Sequence, residues 1–118
     1  MEEMSVGQFI TNKFNIRKIL LSKGSKVFRI DYLLVSVKSI VPADPNLILV
    51  VTDKTGQMLG CLHKDAIATY RNSISPGSTI LLCDISVYVP AGHNPYLLIT
   101  GCNIKHIFDG IFRSTNVP

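Results

Sequence analysis

The sequence has few charged residues, few cysteines and no long apolar run. Charged residues make up 17% of its 118 residues while 47% are hydrophobic, which excludes a disordered or highly acidic chain. No apolar run approaches the ~20 residues that cross a bilayer. The acidic start Met1–Met4 also lacks the basic and apolar regions of a secretory signal. We therefore expect one soluble, intracellular domain with a modest core and no membrane contact.

Cysteine is scarce and odd in number. Cys61, Cys83 and Cys102 fall in three different predicted strands, and no two have the spacing of metal ligands. This arrangement argues against a disulfide framework and against a zinc ribbon. We expect buried thiols that act as small hydrophobic side chains in a reducing compartment.

Catalytic signatures are also missing. The sequence contains no phosphate-binding glycine loop, no HExxH and no GxSxG. His63, His93 and His106 are far apart, and the carboxylates are not paired at helical or strand spacing. Cys61 shares a strand face with His63, but no third group nearby would orient a nucleophile. We expect neither an enzyme nor a metal or cofactor site.

The apolar pattern predicts five strands, with one short helix between the third and the fourth. Alternating apolar residues, turn signals and Pro-Gly breaks set the boundaries. The predicted strands are Tyr32–Val41, Leu47–Thr52, Gln57–His63, Ser78–Val89 and Tyr96–Thr100, and the helix is Lys64–Asn72. This order is typical of an all-β, five-stranded Greek-key barrel of the oligonucleotide/oligosaccharide-binding (OB) class.

The turn Asp53–Gly56 sets which side chains of the second and third strands face outward. With Leu49 and Val51 inward, the outward residues are apolar and contain no aromatic ring and no cation. An apolar strip of this kind marks a protein contact more often than a DNA-binding face. The predicted partner-binding residues on it are Ile48, Val50, Leu59 and Cys61.

The fourth strand changes phase along its length. Ile80 and Leu82 alternate inward, whereas Ile85 and Val87 continue on the same face only if a residue near Asp84 is bulged. We therefore expect a β-bulge there, which would bend the strand as barrel closure requires. A short extension, Ile104–Phe108, is expected along the barrel edge.

The positive charge lies almost entirely ahead of the barrel. Residues 1–29 carry six basic and two acidic residues, and the remainder carries six of each, which accounts for the net charge of +4. We divide the chain into a partly ordered basic arm (1–29), the barrel (30–108) and a frayed tail (109–118). Three interpretations of the arm stay open: its apolar residues cap the barrel, its cations contact nucleic acid, or it binds a partner or a second copy.

Fourteen residues between the second strand and the end of the fifth carry a family resemblance. They fit a D-P-T-G-E-(M/I)-x-G-x-(V/I)-H segment, then L-x-P-G-(S/A)-V-L-L-L, V-F-S-P and N-H-Y-L-N-V-T. The matching residues are Asp53, Thr55, Gly56, Gly60, His63, Pro76, Gly77, Ser78, Leu81, Leu82, Pro90, Tyr96, Leu97 and Thr100. Lys54, Gln57 and Tyr88 replace the Pro, Glu and Phe of the pattern. On these residues the stretch Tyr32–Phe108 resembles the OB domain of the homologous recombination OB-fold protein family.

The resemblance implies a nuclear factor of homologous recombination and DNA repair. Members of the family bind single-stranded DNA and activate a hexameric helicase of the minichromosome-maintenance-like class, through segments outside the OB domain. We expect weak single-stranded DNA binding through loops and arm. In such binding, aromatic rings stack on the bases and cations contact the phosphates. The predicted nucleic-acid-binding residues are Lys13, Arg17, Lys18, Lys38, Lys54, Tyr88, His93, Tyr96 and Lys105.

Two other functions stay open on the residues alone. The apolar outer face would suit a protein partner or a homodimer, and an OB barrel can also serve as an accessory domain of an enzyme. Charge placement and the supply of aromatic rings favour the nucleic-acid module over both.

Overall fold

A computed structural model describes residues 6–108, so Met1–Ser5 and the predicted tail 109–118 lie outside the described part. Six strands and three short helices make up most of it. The strands are β1 (Lys26–Ala43), β2 (Asn46–Asp53), β3 (Gly56–Leu62), β4 (Thr79–Val89), β5 (Tyr96–Ile99) and β6 (Ile104–Phe108). The helices are α1 (Val6–Lys13), α2 (Ile16–Leu20) and α3 (Lys64–Tyr70), and a 3-10 turn spans Gly101–Asn103.

The sheet closes on itself. Its order is β1-β2-β3-β5-β4-β6, and β1 pairs with β4 as well as with β2. β3 and β5 run parallel, while the other pairs are antiparallel. Five strands thus form the barrel, and β6 continues beyond β5 along the same side of β4. The predicted five-stranded OB barrel is confirmed.

Side chains alternate along the strands as the apolar pattern predicts. Leu33, Val35 and Val37 of β1 are buried, as are Leu49 and Val51 of β2. The outer residues of β2 and β3 are half-buried or exposed. A branched core of this kind, filled from every strand, supplies most of the stability of a barrel this small.

β1 begins earlier than predicted. Lys26 pairs with Val89 and Arg29 with Ser86, so the last four residues of the predicted arm are part of the barrel. The strand was missed because Lys26–Arg29 mixes charged and apolar residues, and its pairing with β4 rather than its own pattern makes it a strand.

The phase change in β4 has another cause than the one predicted. The β1–β4 register runs from Lys26↔Val89 to Ser36↔Thr79 without an offset, so the expected inserted residue near Asp84 is absent from this pairing. Asp84 instead adopts a left-handed backbone (φ 52°). Its carbonyl accepts a 3.0 Å hydrogen bond from the Asn103 amide. A register shift does occur between Val37 and Ser39 of β1, which makes Lys38 the bulged residue opposite β2.

Helices cover the two ends of the barrel. At one end Ile16 and Ile19 of α2 are buried in the core (0% and 3% exposed). At the other end Ala66 of α3 and the following Ile74 are buried, while Ile67 and Tyr70 of α3 are half-buried against the core.

A set of hydrogen bonds holds α2 on the turn between β2 and β3. The Ile16 N–H donates to Asp53 Oδ2 and the Arg17 N–H to Thr55 Oγ1, each at 3.0 Å. The Lys18 N–H donates to its own N-cap, Asn15 Oδ1, at 3.0 Å. We call this set the clasp. It satisfies the first three N–H groups of α2, which have no partner inside a helix.

The clasp is also bonded internally. The backbone N–H and the hydroxyl of Thr55 both donate to Asp53 Oδ1, at 2.7 and 2.6 Å. Each carboxylate oxygen of Asp53 therefore has a separate role, one inside the turn and one on the helix. Gly56 lies against the helix, where a Cβ would make an ordinary van der Waals contact with the Ile16 side chain at 3.4 Å.

The cysteines differ from expectation. Cys61 and Cys83 are half-buried on β3 and β4, whereas Cys102 is exposed in the 3-10 turn rather than in a strand. All three are free thiols. The expectation of three buried thiols is therefore wrong. No helix within residues 6–108 is long and apolar enough to cross a membrane.

Replacing Asp53 with Ala removes the acceptor of three donors, two in the turn and one on the helix. We expect the free energy of unfolding to fall by about 1–3 kcal/mol, the usual effect of leaving such donors unpaired. Urea denaturation followed by circular dichroism measures it.

Asp31→Ala is the matched control. Asp31 is an exposed carboxylate of β1 without a hydrogen bond among residues 6–108, and its loss should change stability by less than about 0.5 kcal/mol. Equal stability of the two variants would contradict the importance of the clasp.

Candidate nucleic-acid interface

The outer surface of β2, β3 and β5 forms a continuous apolar row. Val50 pairs with Leu59, and Leu59 pairs with Tyr96. The row continues onto β4 through Tyr88, which is opposite Tyr96. Leu59 is 51% exposed, while Val50, Tyr88 and Tyr96 are half-buried. The predicted partner-binding residues Ile48 and Cys61 are half-buried one step along the same strands and face each other.

Two of the predicted stacking residues meet on this surface. The rings of Tyr88 and Tyr96 lie 5.3 Å apart, edge to face at 82°. Such a pair is a favourable arrangement of aromatic quadrupoles and holds both rings in place. A fixed ring at the outer surface offers a stacking platform for a base, whatever the sequence.

A groove of about 360 Å³ begins at Tyr96. β2 and β3 form its floor, with the loop between β4 and β5 on one side and the end of α2 on the other. We call it the platform groove, and its main lining residues are Leu20, Val50, Gln57, Leu59, Pro95 and Tyr96. Among residues 6–108, no acidic side chain lines it.

Three predicted cations lie around the β2–β3 turn. Arg17 is held there because its N–H is part of the clasp, and Lys54 lies in the turn itself. Lys38 joins them from β1, where its Nζ donates to Gln57 Oε1 at 3.2 Å. Since Gln57 lines the platform groove, the Lys38 ammonium lies at the hairpin end of the groove, and the backbone of Arg17 and of Lys54 lies at the same turn.

Lys13 and Lys18 take a different position. Lys18 Nζ donates to the carbonyls of Asn12 and Lys13, both at 3.1 Å, which caps the end of α1. Lys13 Nζ lies 5.6 Å from the Phe14 ring. Both lysines line a small apolar cavity with Phe28 of β1 and therefore lie apart from the platform groove.

Lys105 and His93 do not line the platform groove either. Lys105 is on β6, beside Leu81 and Leu82 of β4. Tyr88 lies roughly 20 Å farther along that strand at about 3.3 Å per residue. His93 is exposed in the loop between β4 and β5 and lines a second cavity with Lys23. Neither Lys23 nor Leu20 is among the site residues predicted from the sequence.

His63 does not line these grooves but begins α3. Its Nδ1 accepts a hydrogen bond from the Asp65 N–H at 3.2 Å and lies 3.1 Å from Asp65 Oδ1. The two contacts require opposite protonation states of Nδ1: a bare Nδ1 caps the helix, whereas an Nδ1–H donates to the carboxylate. Partial desolvation raises the pKa of Asp65, but hydrogen bonds from His63 and from the Gly101 and Ala66 N–H groups, with the His63 charge, lower it below 3.8 overall.

The described residues contain no group of three or more His, Cys, Asp or Glu side chains that could hold a metal ion. What they present is a closed barrel with an aromatic and apolar outer face, bordered by cations. These features define an OB-fold module.

Comparison with known proteins gives the family. The model of the homologous recombination OB-fold protein family matches residues 28–110, and the chain belongs to this family. The rat homologous recombination OB-fold protein (Rattus norvegicus) is 35% identical over 95 residues, which cover 76% of this chain and 16% of that protein. The human protein (Homo sapiens) is 33% identical, covering 76% and 15%. The chain thus spans about a sixth of the length of these relatives.

Solved structures share the barrel. One is a murine DNA-binding protein bound with double-stranded DNA, with a TM-score of 0.54 and 18% identity, covering 79% of this chain and 44% of that one. Another, reported under the words "Structural mimicry for functional antagonism", has a TM-score of 0.59 and 16% identity, covering 90% and 52%. At these identities the likeness establishes the fold alone.

The lowered pKa of Asp65 predicts a pH-dependent stability. Because the folded-state pKa lies below the ordinary 3.8, ionised Asp65 stabilises the fold above pH 3.8, and this contribution is lost as the pH falls through the folded-state value. We expect Asp65→Asn to be less stable than the parent chain at pH 7. The difference should vanish in stronger acid. Thermal unfolding across pH 2–7 measures it, and a difference that does not vary with pH would contradict the assignment.

Proposed function

We propose that this OB domain binds single-stranded DNA across the platform groove, as part of a nuclear homologous-recombination factor that acts with a hexameric helicase of the minichromosome-maintenance-like class. The observation that carries the proposal is the position of Tyr96. Its ring lines a groove that has the Lys38 ammonium at one end, bonded to the lining residue Gln57, and no carboxylate lines this groove among residues 6–108. Family membership supports the recombination role, the nuclear location and the helicase partner.

The groove supplies both parts of sequence-tolerant binding. Tyr96, with Tyr88 behind it, and the apolar Leu59 offer surfaces on which an unstacked base can lie. Arg17, Lys38 and Lys54 supply positive charge for the phosphates. Of the other predicted residues, Lys13, Lys18 and Lys105 lie away from this groove, so we assign them no contact with the strand in it.

Bases in a duplex are already stacked and paired, so their faces are not available to Tyr96. We therefore expect single strands to bind more tightly than a duplex of the same length. The murine DNA-binding protein has the same barrel and is bound with double-stranded DNA, which makes a duplex the necessary comparison.

Tyr96→Ala should weaken binding of a fluorescein-labelled oligo-dT roughly 5- to 150-fold, because a base–aromatic stack contributes about 1–3 kcal/mol. Fluorescence anisotropy at 50 mM salt measures the affinity. Tyr96→Phe keeps the ring and should bind nearly as the parent chain does. A parent chain that does not bind at 50 mM salt, or a Tyr96→Ala variant with unchanged affinity, would overturn the proposal.

Contacts between cations and phosphates should make the affinity for the oligonucleotide depend on the salt concentration. Removing one phosphate contact with Arg17→Ala or Lys54→Ala should lower the slope of log affinity against log salt by about 0.7. Lys105→Ala removes the same charge from β6 and should leave the slope unchanged. Truncation before Ile30 is unsuitable as a test, because it would also remove the first four residues of β1.

A second function is favoured by the exposure of Leu59. At 51% exposed, it lies in an apolar row that ends at Val27, 60% exposed, across from Tyr88. Such a row also suits a protein partner or a second copy of the chain. If the chain dimerises through this face, Leu59→Arg should be monomeric in sedimentation equilibrium at concentrations where the parent chain is a dimer. A parent chain that is monomeric at every concentration tested would exclude self-association as a function of this face.

A further inference from the structure

A second groove lies between the arm and the loop that joins β4 to β5. It has a volume of about 290 Å³. Ser22, Lys23 and Gly24 line it from the arm, and Pro90, Gly92 and His93 line it from the loop. We call it the arm groove.

The arm groove adjoins the platform groove. Leu20, Asn94 and Pro95 line both cavities, so the end of α2 and the tip of the β4–β5 loop form a shared boundary. A chain that leaves the Tyr96 ring over Pro95 therefore arrives between Lys23 and His93.

We propose that the arm groove binds the backbone of the same single strand, holding a phosphate between Lys23 and His93 beyond the base that stacks on Tyr96. The inference rests on the proposed function and adds a second contact region, formed by a segment that precedes the family match at residue 28.

Charge in the arm groove favours an anion. No Asp or Glu lines it, and no ion pair or side-chain hydrogen bond among residues 6–108 engages Lys23 or His93. The Lys23 ammonium is therefore available to a phosphate, and His93 adds a ring N–H donor from the opposite side.

A glycine lies on each of the two sides of the arm groove, and neither carries a side chain that would fill it. Gly24 and Gly92 have positive φ angles (83° and 75°), and a Cβ at either would meet no atom within 4 Å. Glycine is favoured there by the turn, and its lack of a side chain lets a nucleotide backbone approach the main chain closely.

The clasp fixes the wall that the two grooves share. Leu20 ends α2, and the first turn of that helix is bonded to Asp53 and Thr55 of the barrel. This wall of the arm groove is thus held in place before a strand enters, which limits the ordering cost of binding.

The test compares two lysines three residues apart in the full chain. Lys23→Ala should lower the slope of log affinity against log salt for a 12-nucleotide oligo-dT by about 0.7, the value for one phosphate contact on a single strand. Lys26→Ala is the control, because Lys26 lies on β1 over the Phe28 ring and does not line the groove. Its slope should equal that of the parent chain.

A second readout locates the strand. On titration with the same oligonucleotide, the backbone amide NMR signals of Gly24 and Gly92 should shift together with that of Tyr96. Three outcomes would overturn the proposed contact in the arm groove while leaving binding at Tyr96 intact. They are unchanged Gly24 and Gly92 signals, a Lys23→Ala slope equal to that of the parent chain, or an equal decrease in slope for both lysine variants. A parent chain that binds no oligo-dT would overturn both proposals.

Discussion

The hydrogen bonds from the first turn of α2 to Asp53 and Thr55 determine how the arm is joined to the barrel. A five-residue helix has too few internal hydrogen bonds to be stable alone in water. Here its first three N–H groups have acceptors, and Ile16 and Ile19 are buried beneath it. Tertiary contacts therefore stabilise this helix.

Several features of the surface follow from that attachment. α2 covers the end of the barrel opposite α3, and its last residue, Leu20, becomes a wall of both grooves. The same bonds keep Arg17 beside Lys54. Asp53, Thr55 and Gly56 belong to the family pattern and form the turn between β2 and β3. The same turn binds α2, which precedes the matched residues 28–110.

The barrel itself was predictable from local patterns. Alternation in β2 and β3 fixed which residues face inward, and the Asp53–Gly56 turn fixed their register. The residues that match the family pattern lie in the same part of the chain. What local patterns missed depends on distant partners: Lys26–Arg29 is a strand because β4 lies beside it, and the left-handed Asp84 is held by Asn103.

The candidate site was predictable only in part. Tyr88 and Tyr96 were identified as rings beside a loop, and they do meet on the outer surface. Lys18 was selected for its charge, but its ammonium caps α1, which a charge count cannot reveal. No residue pattern marks Lys23 as a site residue, and it lines the arm groove with His93 because α2 packs against the barrel.

Amide hydrogen exchange at Ile16 and Arg17 tests the attachment of the arm most directly. If Asp53 and Thr55 accept their protons, these two amides should exchange slowly, at rates close to those of β2 and β3, because they open only when α2 leaves the hairpin. Exchange of both amides at the rate of an unstructured peptide, while the β2 and β3 amides remain protected, would contradict the account.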